Sequence, residues 1–236
     1  MAKERQYELT DLLIATLLTQ LRKEINRLDV MGFADLSAGR ITTLTKNMLE
    51  RLLRANEKAY SRIAKGATDE AVDDIKALAK SGGFDELNAP AITFVPIEIN
   101  KKYVEGILEE YNPVTGYLYY PEADRKRARL SEMLIAAVLF GLRTEYHAQL
   151  RKFAKLWHTQ TLQYGETMVD KTRIETFKKN GIRRVMWQSE HDERVCEECK
   201  ERDGKIYPID DIPTKPHYRC RCWLVPIADK KDSDGK

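Results

Sequence analysis

Cys196-Glu197-Glu198-Cys199 and His217-Tyr218-Arg219-Cys220-Arg221-Cys222 hold every sulfhydryl of a 236-residue chain and one of its four histidines. Thiolate sulfur and imidazole nitrogen are the ligands of structural zinc, which closes a tetrahedron around itself. A Cys-x-x-Cys pair lets one tight turn aim two sulfurs at one point, and a second turn must supply the other two ligands. Here the second turn offers three groups for two places. His217 and Cys220 repeat the two-residue spacing. Cys220 and Cys222 have a single residue between them, and on an extended strand their side chains would point to opposite faces. The favoured set is therefore Cys196, Cys199, His217 and Cys220, with Cys222 as the substitute for His217. In small finger peptides a structural zinc contributes roughly 10–16 kcal/mol coupled to folding, ample for a segment too short to hold itself by apolar burial.

Other chemistries compete for the same residues. A redox Cys-x-x-Cys wants positive surroundings or a helix N-terminus to acidify its thiols, whereas Asp192, Glu193, Glu197, Glu198 and Glu201 crowd the first pair. Disulfides need an oxidising compartment. The N-terminus gives no sign of export: an Asp and several threonines interrupt its apolar stretch and no small-residue cleavage site follows. A zinc-stabilised, HNH-like metal-dependent nuclease would need further His or Asn ligands. After Asn180 the chain has no asparagine, and His191 is the one spare histidine. No enzyme activity is expected.

The elements that must position this knot are mostly helical. Hydrophobic residues are 42% and charged residues 33% of the chain, with net charge +3. This is a balance that argues for a water-soluble protein and against nucleic-acid binding from total charge alone. No apolar run is long enough to cross a membrane. Leu9, Leu12, Leu13, Leu17, Leu21, Ile25 and Leu28 predict a first helix over about 6–28. Leu44, Met48, Leu49, Leu52, Ala59 and Ile63 predict a second over 41–65, closed by Gly66. Thr68 reads as the N-cap of a third, with Asp69 and Glu70 at its positive end or forming an acidic docking face. Residues 84–100 read as a connector and 97–111 as a further helix. The cluster Tyr117-Leu118-Tyr119-Tyr120 suits packing or base stacking. From Pro121 one long helix continues to about Gln163 through Leu130, Leu134, Ala137, Tyr146, Leu150, Phe153 and Trp157, until Gly165 breaks it. A shorter helix spans 167–180, with Gly181 as its C-cap.

Two basic clusters stand out. Arg125, Lys126, Arg127 and Arg129 open the long helix at the end a dipole disfavours for cations. Lys171, Arg173, Lys178, Lys179, Arg183 and Arg184 precede the cysteines. Both suit phosphates or acidic partner surfaces, and both also suit a solvated face. After Val185 the texture becomes β: Val185–Gln188 and Cys222–Val225 read as strands and Asp203-Gly204 as a tight turn. The expected fold is mainly α with a small C-terminal α+β zinc-binding module and an extended helical body. Its divisions are a body over 1–165, the module over 166–228 and a disordered tail over 229–236.

The run from Trp187 through Asp192 to Cys196-Glu197-Glu198-Cys199, then Asp203-Gly204-Lys205-Ile206-Tyr207, then Pro216-His217-Tyr218-Arg219-Cys220-Arg221-Cys222, resembles the C-terminal signature of the phage head morphogenesis family. These are the Mu-F-like minor head proteins of tailed bacteriophages. The resemblance covers about residues 157–227. It departs at Lys215-Pro216, where the family often has a second proline, and at Thr172–Thr176, loosely similar to an Arg-Thr-Glu-like element. It implies a minor capsid protein acting in head assembly or genome delivery, located in the virion interior and in the host cytoplasm during assembly. The partners it implies are the phage portal protein, double-stranded DNA, and scaffold or major capsid protein. A homo-oligomer is a further expectation, and a plain DNA-binding module a further alternative.

Overall fold

The computed structural model describes residues 2–30, 36–81, 130–217, 220 and 222–228, the side chains of 2–10, 131 and 163 excepted. The described chain is mostly helical, with one small C-terminal sheet. Its helices are α1 (Ala2–Val30), α2 (Ala38–Lys80), α3 (Leu130–Leu139), α4 (Arg143–Lys179) and the short α5 (Glu197–Arg202). The strands are β1 (Arg184–Ser189), β2 (Ile206–Pro208) and β3 (Cys222–Ile227). Among the described residues no helix is long and apolar enough to cross a membrane. The expected connector, the helix over 97–111, the tyrosine cluster and the tail after 228 lie outside the described residues.

Chain contacts divide the protein into two compact units, one of residues 7–63 and 97–165, the other of 1–6, 64–96 and 166–236. In the first, α1 and the start of α2 bury Ile14, Leu17, Leu21, Leu28, Ile41, Met48, Leu52 and Ile63. Leu134 of α3 and Tyr146, Leu150, Phe153 and Trp157 of α4 are buried as well. Several of the polar groups this core encloses are hydrogen-bonded, while Trp157 Nε1 and both amide atoms of Gln160 are buried without a hydrogen-bond partner among the described residues. The Tyr60 hydroxyl donates to the Thr161 carbonyl at 3.2 Å, and that of Tyr146 to the Leu28 carbonyl at 3.1 Å. Glu24, 1% exposed, accepts both arms of Arg51, at 2.9 and 2.7 Å.

Three helix boundaries differ from the sequence expectation. Ser37 caps α2, its hydroxyl accepting the Arg40 N–H at 3.3 Å, but α2 then runs unbroken through Gly66 and Thr68. The Thr68 hydroxyl turns back onto the Ala64 carbonyl at 2.9 Å, so it bonds within the helix and starts nothing. Asp69 and Glu70 accordingly sit mid-helix, away from any positive helix end. The helix expected through Leu139 breaks there: Gly141 takes φ +68°, and the Leu142 N–H reaches back to the Ala137 carbonyl at 2.7 Å, a Schellman closure. Conversely Gly165 lies inside α4. A Cβ there would come within 2.9 Å of Ile14 Cδ1, so this glycine marks a close approach of side chain to helix backbone. Gly181 ends α4 as expected, with φ +76° and the Ile182 N–H on the Phe177 carbonyl.

In the second unit the sheet order is β2-β1-β3, antiparallel throughout. Val185 pairs with Tyr207 on one side and Pro226 on the other. Pro226 has no N–H to give and stands on an edge strand, where that is tolerated. The inward face of the sheet supplies Val185, Trp187, Cys222 and Leu224 to one buried cluster. Ala71 and Ile75 of α2 and Phe177 of α4 complete it, so the sheet packs on helix segments that lie far ahead of it in sequence.

Candidate metal centre

Cys196 occupies the N-cap position of α5, with extended backbone, and Cys199 lies one turn inside it. The turn puts both sulfurs on one side, and the Cys199 backbone N–H points at the Cys196 sulfur. Glu197 and Glu198, which follow the cap, are exposed and paired along the helix, Glu197 with Lys200 at 2.7 Å and Glu198 with Arg202 at 3.1 Å. The hairpin behind α5 is fixed by Asp203-Gly204. Gly204 takes φ +75° and gives its N–H to the Trp187 carbonyl at 2.8 Å, while Trp187 gives its own to the Lys205 carbonyl at 2.9 Å.

Cys220 stands just before β3 and Cys222 is its first residue. Their sulfurs lie 3.0 Å apart, and Cys220 is 2.9 Å from Cys199. The expectation that Cys220 and Cys222 point to opposite faces is therefore wrong. Strand alternation does not apply to Cys220, which is outside the strand. All four cysteines are free thiols, and Cys199, Cys220 and Cys222 are buried. The donors form two overlapping groups able to hold a metal ion, Cys196–His217–Cys220 and Cys199–Cys220–Cys222, each with its ligand atoms within 4.8 Å of one another. Cys220 belongs to both.

The thiols differ in acidity. Burial raises Cys196, but the Cys199 N–H and His217 outweigh it and hold this thiol below its ordinary value. Burial, with the neighbouring Cys220 sulfur, pushes Cys199 up to about 12 and drives Cys222 higher still. Alone, those two stay neutral and unreactive at neutral pH. A bound cation deprotonates coordinating thiols outright. Several soft donors converging in a closed, mostly buried site suit a structural metal better than a thiol nucleophile.

The basic residues ahead of the knot separate into two sets. Arg173 is 7% exposed and is engaged by Glu70 at 3.4 Å, by Asp74 and by the Leu224 carbonyl at 3.2 Å, its guanidinium over the Phe177 ring. Lys178 pairs with Asp210 at 2.7 Å, and Arg184 donates to the Ala228 carbonyl at 2.9 Å. Lys171, Lys179 and Arg183 are exposed. Arg125, Lys126, Arg127 and Arg129 lie outside the described residues. Among the described residues, His191 joins no metal-holding group.

Two positioning residues escaped the sequence reading. One is Asp203, whose carboxylate accepts the Ser189 N–H at 2.7 Å and meets His191 Nε2 at 2.8 Å, a clasp across the loop that delivers Cys196. His191 beside it, followed by that N–H, holds the carboxyl below its ordinary value. The other is Lys215, whose ammonium lies 2.9 Å from Asp170 of α4 and so ties down the loop that carries His217. Residue type marks neither pair; only the turn signal at Asp203-Gly204 hinted at the first.

Residues 128–225 match the family described as Phage Mu protein F like protein. Over these residues the chain is similar to that family. The Mu F-like region begins well ahead of residue 157, takes in α3, α4 and the sheet as far as Val225, and encloses all five metal donors. An uncharacterized protein of Haemophilus influenzae (strain Rd) is 35% identical over 57 residues, which are 22% of this chain and 13% of that protein. The chain thus matches a small part of that relative's length. No solved structure matches.

Proposed function

We propose that this chain is a minor head protein of a tailed phage. It works by binding during head assembly, and its Mu F-like region is locked by one structural zinc. One observation carries the reading: the family match over 128–225 contains the whole Cys/His knot, so the donor cluster lies within the family region. Cys196, Cys199, Cys220 and His217 are the proposed ligands. Cys222 lies on the inward face of β3 beside Leu224, where it serves the core. The portal protein is the proposed principal partner, with scaffold or major capsid protein and a second copy of the chain as further binding surfaces. Packaged double-stranded DNA is proposed to meet Lys171, Lys179 and Arg183 through phosphate contacts, which weaken steeply with salt.

Two measurements test this. Co-expressed with the portal protein of the same genome, the chain is expected to co-elute with it on size exclusion; separate elution at every salt concentration would sink the portal assignment. Metal analysis is expected to give about one zinc per chain, as a single tetrahedral site requires. His217→Ala should lower that content while Cys222→Ser keeps it, and the opposite result reassigns the fourth ligand to Cys222.

A further inference from the structure

In the helical unit a groove of about 450 Å³ runs between α1 and α2. Its floor is apolar, made by Leu12, Leu13 and Ala59 among others, and its rim carries Lys23, Lys58 and Arg62. The spacing explains the shape. Leu12, Thr16, Thr19 and Lys23 follow one another at helical intervals along α1, and Ala55, Lys58, Ala59 and Arg62 do so along α2, so one row of each helix faces the groove. Leu12 is 65% exposed in this position, whereas Leu13 and Ala59 are buried. Among the described residues no carboxylate lines the groove. Glu24, next to Lys23 in sequence, sits on the buried side of α1 and is held by Arg51 and Arg27.

We infer that this groove docks an acidic amphipathic helix of a partner protein. An apolar trough walled by two helices takes the apolar stripe of a third, read by anchors at successive turns. Three cations, and among the described residues no anion, on the rim select glutamates and aspartates flanking that stripe and repel basic helices. A nucleic acid fits poorly, because a phosphate backbone offers nothing to Leu12 and the leucine floor. The lining spans Leu12 to Lys23 on α1, about three helical turns or roughly 16 Å, enough for a short helix to seat several anchors. The groove lies ahead of residues 128–225, so its failure as a docking site would leave the head-protein reading untouched.

The test uses the full chain and two labelled synthetic helices of about five turns, identical in their leucine stripe, one flanked by glutamates and the other by lysines. Fluorescence anisotropy is expected to show the glutamate helix binding about 10-fold or more tighter than the lysine helix, and less tightly as salt rises. In the triple variant Lys23→Glu, Lys58→Glu, Arg62→Glu the preference should invert. These side chains are exposed, so the variant should keep its helical circular dichroism, and that spectrum is the control for folding. Leu12→Ser should weaken both helices alike. Equal binding of the two helices, a preference the triple variant leaves unmoved, or displacement by a DNA duplex overturns the inference. So does a glutamate helix that binds only after Glu98, Glu105, Glu109 and Glu110 are changed to Gln, because the occupant is then this chain's own 97–111 stretch.

Discussion

The two units of this protein are held by different means. The helical unit over 7–63 and 97–165 relies on many large side chains. Tyr60, Tyr146, Met48, Leu52 and Leu150 are each within 1% of complete burial, and the two tyrosine hydroxyls donate to backbone carbonyls distant in sequence. The other unit has a three-stranded sheet of short strands, and among the described residues four of the seventeen side chains in its core are thiols. A thiol buries little area, so apolar transfer alone stabilises this sheet weakly. A distributed core loses stability in increments, whereas a ligand knot loses it all at one atom. That difference ranks the following substitutions.

Cys220→Ser should have the largest effect. Cys220 is the donor common to both groups, and structural zinc sites contribute on the order of 10 kcal/mol to small domains. With the proposed zinc as the clasp, its content should fall to near zero and the sheet should melt at ambient temperature, read by loss of Trp187 near-UV dichroism. The helical signal should largely survive. A Cys220→Ser protein with unchanged metal content and melting would show that the thiols form an ordinary apolar core. Arg173→Leu follows. It leaves Glu70 and Asp74 without their shared cation and the Leu224 carbonyl without its donor. Breaking a buried pair in this way costs about 3–5 kcal/mol, measurable as a lower urea midpoint. Arg173→Lys should recover only part of it, because an ammonium cannot span three acceptors as a fork does.

The sequence was most readable where chemistry and spacing coincide. Cys-x-x-Cys, Asp203-Gly204, the strand at Val185 and the C-cap at Gly181 all appear in the structure where their local physics put them. It was least readable at glycines. Gly66 and Gly165 were expected to end helices, and both are helical; Gly141 was passed over, and it ends one. A glycine serves either to reach positive φ or to admit a neighbour, and residue type cannot distinguish the two. Gly141 and Gly181 do the first, Gly165 the second. Arg173 illustrates the same gap for charge. As one of six clustered basic residues it looked like a solvent-facing site, but Glu70 and Asp74, about a hundred positions earlier, claim it. Long-range pairing of this kind leaves no local signature. The meeting of Cys220 with Cys222 was likewise hidden, because it depends on where β3 begins.

Gly165 allows the helical unit to be probed in the same terms. Gly165→Leu would drive a branched side chain into Ile14, and overpacking a filled core costs about 1–3 kcal/mol. Gly165→Ala should be close to neutral. The one tight contact of its Cβ among the described residues is with the end of the flexible Ile14 side chain, at 2.9 Å, and the shift that requires is offset by roughly 1 kcal/mol of helix propensity. Thermal melts of the two variants check the ordering. Equal destabilisation by both would mean that α4 cannot accommodate any Cβ at this point.

The smallest effect is a slope rather than a loss. Burial first, then the charges of Asp74 and Asp73, raises Glu70 from its ordinary 4.5 to about 7, against the opposing pull of Arg173. Between those two values the folded chain holds a proton on Glu70 that the unfolded chain has released. Stability from this group is therefore complete below about pH 4.5 and is lost as pH rises through about 7. Arg173, 3.4 Å away, already opposes this shift, so the effect is read as a slope with pH and not as a loss of the fold. Glu70→Gln removes the proton and should flatten this part of the profile, with the variant gaining on the parent as pH rises from 5 to about 8. Urea midpoints at matched ionic strength would resolve it. A parent protein whose stability instead climbs across that interval, with Glu70→Gln following it in parallel, would place the Glu70 carboxylate in solvent and leave Asp74 as the only true partner of Arg173.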